Sequence, residues 1–352
     1  MKKFSLVLAL VLILSLVLSA CTTPQATATQ APEKKLKICQ VTDTGGIDDK
    51  SFNATAWKGA LRAQDELGFE AKYLESKEVA DYEKNLNAFI EEKCDLIVTV
   101  GFLLGDATKA AAEANPDFKF SIVDFAYDPP IPNVVGQVFA TDEAAFLAGY
   151  LAAGMTKTGK VGTFGGLPIP PVTIFMDGFV RGVKYYNQVK GTSVEVLGYD
   201  LAAPDKGLFT NSFDDQTKGK EFGITLMDEG ADIIMPVAGP VGLGTAAAVK
   251  ERGNALIIGV DSDWFLTAEG YQDIILTSVL KNMDATTLEV AKQVKDGAFK
   301  GGTNVVGTLA NNGVGIAPYH NLDSKVPAEL KAEIEQIKKD IIDGKIKLAD
   351  IK

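Results

Sequence analysis

The chain has 352 residues, a formal net charge of −11 at pH 7 and a single histidine, His320. An acidic exterior disfavours nucleic acid or anionic lipid as the main partner, and one histidine leaves little for a zinc site or a histidine-based triad. The sequence carries no nucleophile elbow, Cys/His pair, metal-ligand cluster or Walker motif, so we expect no enzyme, no metal site and no cofactor.

The first 21 residues have the pattern of an export signal. A Lys-Lys pair at positions 2 and 3 precedes an apolar run over 4–18, and Leu-Ser-Ala leads into Cys21. These features are typical of a secretory signal peptide, and the run is short for a membrane-spanning helix of roughly 20 residues. Cysteine directly after Leu-Ser-Ala resembles a bacterial lipobox. We expect residues 1–20 to be removed and Cys21 to be lipidated; the alternative is an ordinary cleaved signal with an incidental cysteine.

Residues 21–35 are predicted to link the lipid to a folded body. Positions 22–35 are rich in Thr, Ala, Gln and Pro and have no apolar period, which favours a disordered spacer. Beyond Cys21, two cysteines remain, Cys39 and Cys94, and each lies in a predicted strand context. An exported setting permits a disulfide between them, but the sequence leaves the pairing open.

From residue 36 onward, apolar segments predicted as strands alternate with segments predicted as helices. Several strands, such as 232–237 and 255–260, are continuous apolar runs, which suit parallel strands buried on both faces. The predicted strands are 36–41, 70–75, 95–100, 119–123, 134–138, 160–164, 193–197, 232–238, 255–261, 273–279, 303–309 and 313–319. The predicted helices lie near 52–67, 81–92, 105–114, 142–155, 174–187, 215–229, 241–251, 283–296 and 327–342.

This alternation predicts an α/β protein with two lobes. Alternating β and α elements imply doubly wound sheets, and so many strands are too many for one sheet. The pattern renews after about residue 140, and a second βα series opens at 160–164. Ligands of such folds sit at the carboxyl ends of the strands, so two lobes can face each other across a ligand-binding cleft.

The loop after the first strand is the most unusual segment of the chain. Asp43 follows the strand, Gly45-Gly46 lets the backbone turn, and Ser51 is predicted as the N-cap of a helix whose first residues are Phe52 and Asn53. An aromatic face beside an amide and a carboxylate suits a flat, hydrogen-bonding ligand. The alternative is a capped helix with a solvated acidic turn.

Three further charged residues follow predicted strands. Asp124 and Asp261 end apolar runs, and Lys281 follows the strand before residue 280. Ionised carboxylates are hydrogen-bond acceptors that can each take two donors, which suits sugar hydroxyls. Together with Asp43, the two aspartates could instead hold a divalent metal ion. Lys281 could balance their charge. The competing interpretations are turn-capping aspartates and a solvated lysine.

Phe175 is the second aromatic candidate. It shares a helical stripe with Phe179 and Val183, so core packing is the default interpretation. However, it is read as opening the helix after the loop 165–171, a position that corresponds in the second lobe to Phe52 in the first. Two aromatic rings facing each other across a cleft would sandwich a planar base, and stacking is worth roughly 1–3 kcal/mol per base.

These motifs together resemble a known family. Residues 41–43 (VTD) with 48–53 (DDKSFN) look like the opening signature of the basic membrane protein (BMP) lipoproteins, the purine nucleoside receptor A-like substrate-binding proteins of ABC transporters. Residues 175–179 (FMDGF), 259–263 (GVDSD) and 277–282 (TSVLKN) match in kind and order. The similarity covers essentially residues 36–320, and the lipobox agrees with it.

The resemblance implies a type I periplasmic-binding-protein fold with a nucleoside in the cleft. Two Rossmann-like lobes with parallel sheets would be joined by three crossovers near 141, 281 and 309. The implied lobes are 36–141 plus 282–308 and 142–281 plus 309–352. The implied contacts are base stacking by Phe52 and Phe175, hydrogen bonds to the base edge from Asp43 and Asn53, ribose contacts from Asp124, Asp261 and Lys281, and backbone near Gly239.

One departure from the family pattern concerns the sugar. Pro240 follows Gly239 where relatives more often carry a Gly-rich run and a small polar residue, and proline has no N–H to donate. This departure bears on the contacts to the sugar and leaves the expected contacts to the base unchanged.

The sequence thus predicts an extracytoplasmic, lipid-anchored receptor that is not an enzyme. It would capture purine nucleosides (adenosine, guanosine or inosine) and deliver them to an ABC permease. We expect a monomer that touches the membrane through its lipid and binds no nucleic acid. The alternatives are a binding protein for a sugar or another small polar metabolite and, less in keeping with the sequence, a nucleoside hydrolase that uses a divalent ion.

Overall fold

The computed structural model of the protein describes residues 35–352. The predicted signal peptide, Cys21 and the linker as far as residue 34 lie outside the described residues.

The strands are β1 (Lys37–Val41), β2 (Glu70–Leu74), β3 (Leu96–Val100), β4 (Phe120–Val123), β5 (Val134–Phe139), β6 (Lys160–Gly165), β7 (Glu195–Leu197), β8 (Ile233–Val237), β9 (Leu256–Asp261), β10 (Ile275–Lys281), β11 (Thr303–Gly307) and β12 (Val314–Ile316). The helices are α1 (Phe52–Leu67), α2 (Asp81–Glu91), α3 (Gly105–Ala114), α4 (Thr141–Met155), α5 (Pro170–Lys190), α6 (Gln216–Asp228), α7 (Val241–Arg252), α8 (Trp264–Thr267), α9 (Met283–Lys295) and α10 (Ala328–Ile342).

The strands form two sheets of six, and helices pack against both. The strand order is β11-β5-β4-β3-β1-β2 in the first sheet and β12-β10-β9-β8-β6-β7 in the second. We call each sheet with its packed helices a lobe. The central strand β3 is buried along its whole length, as expected for a parallel strand covered on both faces.

The sheets are mostly parallel, as predicted, and one strand of the second sheet runs the other way. β12 pairs antiparallel with β10, with Lys281 opposite Val314. The chain leaves the second sheet at the carboxyl end of β10 and returns to it at the same end, through the segment 308–313 that follows β11. β12 therefore runs antiparallel to β10.

The chain passes between the sheets three times, and the three crossings lie side by side. They are α4 between β5 and β6, the step from β10 into α9, and the segment 308–313. The N–H of Leu309 donates to the carboxylate of Glu143 (2.8 Å), and the N–H of Asn282 donates to Gly313 O (2.9 Å). These bonds hold the crossings together as a narrow bridge, which is the geometry of a hinge.

Helices α4 and α5 approach each other closely in the second lobe. A Cβ atom at Gly149 would lie 2.1 Å from the carbonyl oxygen of Phe179, and one at Gly182 would lie 2.1 Å from that of Phe146. Only glycine lets the two backbones come this near. Among residues 35–352, the structure contains no helix with the length and apolar character needed to cross a membrane.

Two helix predictions needed revision. α5 begins at Pro170, earlier than predicted, because the fixed φ of proline suits the first turn of a helix. The interpretation of Phe175 as the opening residue is therefore wrong, and Phe175 lies on the second turn. The short helix α8 was not predicted; the carboxylate of Asp263 caps it by accepting from the N–H of Phe265 (3.1 Å).

A disulfide joins Cys39 to Cys94, a pairing that the sequence left open. Cys39 lies in β1, whereas Cys94 lies just before β3 and not within it, and both side chains are buried. The Cα atoms are 6.1 Å apart, and 55 positions separate the two residues in the chain. The bond therefore closes a long loop that contains α1, β2 and α2.

Candidate functional site

The carboxyl ends of strands from both sheets surround one cleft between the lobes. It holds about 600 Å³ of empty space, part of which is open to solvent. All eight residues singled out from the sequence line it: Asp43, Phe52, Asn53, Asp124, Phe175, Gly239, Asp261 and Lys281. Strand-end placement explains the convergence of Asp43, Asp124, Asp261 and Lys281, because parallel strands expose their carboxyl ends along the same edge of each sheet.

Asp43 and Asn53 hold each other in the wall of the first lobe. The amide nitrogen of Asn53 donates to Asp43 Oδ1 (2.7 Å), and the N–H of Asp43 donates to Asn53 Oδ1 (3.2 Å). Asp43 Oδ1 also accepts from the N–H of Gly45 (2.9 Å). Burial raises the pKa of Asp43, and these donors act against that rise. The second carboxylate oxygen of Asp43 is thus the one left for other donors near the cleft.

Asp49 caps helix α1, a role that the sequence assigned to Ser51. Its carboxylate accepts from the N–H groups of Ser51 (3.0 Å), Asn53 (2.7 Å) and Ala54 (3.0 Å). Ser51 is the N-cap residue by position, as predicted, but its side chain makes no capping hydrogen bond and points to the second lobe. Burial raises the pKa of Asp49 to about 6, against the effect of the N–H donors. An acid two positions before the presumed cap was the signal for this role.

Lys281 is buried in the cleft and does not occupy a solvated surface position. Its ammonium group forms an ion pair with Asp124, and its side chain is only 3% exposed. Asp124 directly follows β4 of the first lobe and Lys281 ends β10 of the second, so the pair joins the lobes. Burial raises the pKa of Asp124, and the neighbouring ammonium opposes that shift.

The two candidate aromatic rings flank this ammonium group. It lies 4.9 Å from the ring centroid of Phe52 and 5.6 Å from that of Phe175. Phe52 is on the first turn of α1 and Phe175 on the second turn of α5, so one ring comes from each lobe. Both rings therefore border the same small space beside Lys281.

Asp261 ends β9 and faces the first lobe. Its Oδ2 atom accepts from the hydroxyl of Ser51 (3.0 Å). Burial raises the pKa of Asp261 to about 6, whereas the charge of Lys281 lowers it. Asp43, Asp49, Asp124 and Asp261 thus bring four carboxyl groups to a cleft in which one lysine, Lys281, lies among the lining residues.

The remaining lining is largely apolar and was mostly missed. Phe102 follows β3 and could have been found by the strand-end rule that found Asp43. Phe213 lies in a loop with no sequence signal. The other lining residues are Gly45 and Pro240, which the sequence analysis discussed, and Gly101, Leu103, Ile169, Pro171, Val172, Val237, Ala238 and Val260, which it missed.

Two further features bear on what the cleft can hold. Gly239 adopts a left-handed φ of 54°, and Pro240 follows it directly before α7, so this edge of the cleft lacks one N–H donor. Within residues 35–352, no three His, Cys, Asp or Glu side chains come together as a possible metal site. The cleft offers carboxylate acceptors, one ammonium donor and aromatic faces.

Comparison with known proteins places this architecture in a family. A family profile described as Bmp, ABC transporter substrate-binding protein PnrA-like, matches residues 37–351. The ABC transporter nucleoside-binding protein BmpA of Lactococcus lactis is 33% identical, and the match covers 98% of each chain. Basic membrane protein A of Borreliella burgdorferi is 32% identical over 97% of this chain and 94% of its own length.

Solved structures agree with this placement. A crystal structure of an ABC transporter solute-binding protein from Aeropyrum pernix superposes with a TM-score of 0.78 at 30% identity, and the match covers 89% of this chain and 92% of that one. The two mostly parallel sheets confirm the predicted type I periplasmic-binding-protein fold. The family resemblance is also confirmed: the chain belongs to the PnrA-like (Bmp) family of ABC transporter substrate-binding proteins.

Proposed function

We propose that this protein captures purine nucleosides outside the cell and hands them to an ABC permease. The observation that carries the proposal is the pair of phenyl rings, Phe52 and Phe175, which come from opposite lobes and border one space beside Lys281. A planar base would stack between two such rings. The name of the Lactococcus lactis relative as a nucleoside-binding protein supports the same ligand class.

The polar residues divide between base and sugar. Asp43, held by Asn53, would accept hydrogen bonds from the base edge, while Asp124, Asp261 and Lys281 would contact the ribose hydroxyls, with the backbone near Gly239 close by. Carboxylates suit ribose because each hydroxyl supplies a donor. Since the contacts come from both lobes, ligand binding would favour the closed cleft over the open one.

The remaining parts of the proposal concern location and assembly. We propose that residues 1–20 are removed on export and that lipidated Cys21 holds the protein on the outer face of the cell membrane or on the periplasmic side. The linker over 21–35 would let the two lobes, 36–141 plus 282–308 and 142–281 plus 309–352, reach the permease. We propose a monomer without catalytic activity.

Calorimetric titration, after unfolding and refolding to strip bound ligand, tests the nucleoside assignment. We expect adenosine, guanosine and inosine to bind saturably, and cytidine and ribose to bind weakly or not at all. If ribose binds and none of the purine nucleosides does, the ligand of this site is a sugar and not a nucleoside. Release of free hypoxanthine from inosine in the presence of a divalent metal would contradict the non-enzymatic assignment.

The aromatic sandwich makes a prediction of its own. Replacing Phe52 or Phe175 with leucine keeps an apolar side chain but removes the stacking face, so each change should weaken inosine binding by about 1–3 kcal/mol. Calorimetry of each variant checks this. Phe222→Leu is the matched control, because that ring packs against Phe164 in the second lobe and does not line the cleft. Unchanged affinity in both cleft variants would refute the sandwich.

Nucleoside affinity should fall in acid. The pKa of Asp261 is about 6, so this carboxyl is ionised at pH 7.5 and mostly protonated at pH 5. Ribose hydroxyls donate to the ionised form, so protons compete with the ligand, and affinity should drop by roughly tenfold per pH unit below the pKa. Titrations from pH 7.5 to 5 measure the slope.

A control variant is needed to separate the contribution of Asp261 to the pH dependence from that of Asp49, because burial raises the pKa of Asp49 to about 6 as well. Asp261→Asn should bind more weakly at pH 7.5 and should lose most of the acid dependence. If that variant keeps the full slope, Asp261 is not the group that titrates.

A further inference from the structure

Two serine side chains connect the lobes beside the cleft, and neither contact needs a ligand. The hydroxyl of Ser51, in the first lobe, lies 3.0 Å from the carbonyl oxygen of Val260 and 3.0 Å from Asp261 Oδ2. In return, the hydroxyl of Ser262, in the second lobe, donates to the carbonyl oxygen of Lys50 (2.8 Å). We call these contacts of Ser51 and Ser262 the serine clasp.

The backbone on both sides is shaped around these contacts. Lys50 and Asp261, which supply two of the acceptors, have left-handed φ values of 59° and 67°. Such values are uncommon for residues other than glycine and persist where surrounding contacts hold them. The N–H of Ser51 is held in turn by the carboxylate of Asp49 (3.0 Å). The serine on the first lobe is therefore presented to the second lobe by a fixed local structure.

The two halves of the clasp differ in burial. Ser51 is 1% exposed, and its contacts are buried. The Ser262 contact lies at the exposed rim, where Ser262 also approaches the hydroxyl of Thr267 (3.1 Å). Loss of a buried hydrogen bond leaves acceptors without a donor and costs more than loss of an exposed one. The Ser51 half should therefore contribute more.

We infer that Ser51 and Ser262 are positioning residues that favour the closed cleft by a factor independent of which ligand it holds. Val260 O and Lys50 O, the two carbonyl acceptors, have no proposed contact with ligand, so their contribution to closing is the same for all ligands and is present without any. Ser51 also orients the carboxylate of Asp261, one of the proposed ribose contacts. The inference rests on the proposed function in one respect, which is that nucleosides are used as the ligands in the affinity measurement.

The first experiment measures closing without ligand. Spin labels attached through p-acetylphenylalanine at the exposed positions Glu78 and Lys206, one in each lobe, leave the native cysteines unmodified. Double electron–electron resonance on the full chain then gives the ratio of closed to open forms. We expect Ser51→Ala to lower that ratio by about 2- to 10-fold, Ser262→Ala to lower it less, and the double variant to lower it at least as much as Ser51→Ala.

Two control variants separate the clasp from general stability. Ser121→Ala removes a buried hydroxyl whose partners, Val135 O and Gln137, lie within the first lobe, and it should leave the ratio unchanged. Ser51→Thr keeps the hydroxyl and should restore most of the closed population. An unchanged ratio in Ser51→Ala, or an equal loss in Ser121→Ala, would overturn the inference.

The second experiment measures affinity for adenosine, guanosine and inosine by calorimetry. Ser51→Ala should weaken all three by the same factor, and by no more than the fall in the closed-to-open ratio, because closing is disfavoured equally for each. A larger loss would come from the ribose contact of Asp261. A loss confined to one nucleoside would identify Ser51 as a specificity contact and contradict the clasp. If the unaltered protein binds none of them, the proposed function fails, while the ligand-free measurement still decides the clasp.

Discussion

Lys281→Met is expected to weaken purine nucleoside binding by at least about 100-fold. The change leaves the Asp124 carboxylate buried in the closed cleft without its cation. Breaking a buried ion pair by removing one partner costs about 3–5 kcal/mol, and each 1.4 kcal/mol is a factor of ten in affinity. The open cleft lets water reach Asp124, so the cost falls on the closed, ligand-binding form.

A double variant shows whether the unpaired charge is the cause. Lys281→Met with Asp124→Asn removes both charges, so it should bind nucleoside more tightly than Lys281→Met alone, although both lose ribose contacts. Calorimetric titration of the two single variants and the double variant completes a mutant cycle. Additive losses in this cycle, or native affinity in Lys281→Met, would show that the ion pair does not support the closed cleft.

Removing the disulfide is expected to destabilise the first lobe by about 4 kcal/mol. The bond links Cys39 to Cys94 across 55 positions, and a crosslink of that span restricts the unfolded chain by roughly this amount in the loop-entropy account. The variant Cys39→Ala with Cys94→Ala keeps small apolar side chains at two buried positions. The free energy of unfolding in urea, compared with that of the oxidised native chain, gives the effect.

The two tryptophans allow this loss to be assigned to one lobe. Trp57 lies on α1 of the first lobe, and Trp264 lies on α8 of the second. Replacing Trp264 with phenylalanine leaves Trp57 as the fluorescent reporter of the first lobe. Reductant should lower the unfolding midpoint of the native chain and leave the double-alanine chain unaffected. Equal midpoints for oxidised and reduced native protein would contradict the prediction.

Much of the fold was accessible from sequence because its signals are local. The helix over 52–67 was predicted with the bounds that the structure has, since its apolar spacing and the stop at Gly68 are contained in the segment itself. The strand ends were predictable for the same reason. Because parallel strands place their carboxyl ends at one edge, Asp43, Asp124, Asp261 and Lys281 could be predicted to converge on one cleft before any contact was known.

Other features depended on partners far away in the chain. The sequence could not decide whether Lys281 is solvated, because its burial depends on Asp124 and on rings from both lobes. The Cys39–Cys94 bond required knowing how the two segments lie in the first sheet. The direction of β12 followed from where the last crossing enters the second sheet.

Ser51 illustrates the difference between the two kinds of information. By itself the sequence determined that a helix starts beside this residue, because a polar residue before an apolar-periodic segment is a local signal. Only the tertiary structure decided that Asp49 caps the helix and that the Ser51 hydroxyl reaches Val260 and Asp261, more than 200 positions away. Secondary structure is set by neighbours along the chain, whereas the partner of a polar side chain is set by which distant groups folding brings within hydrogen-bond distance.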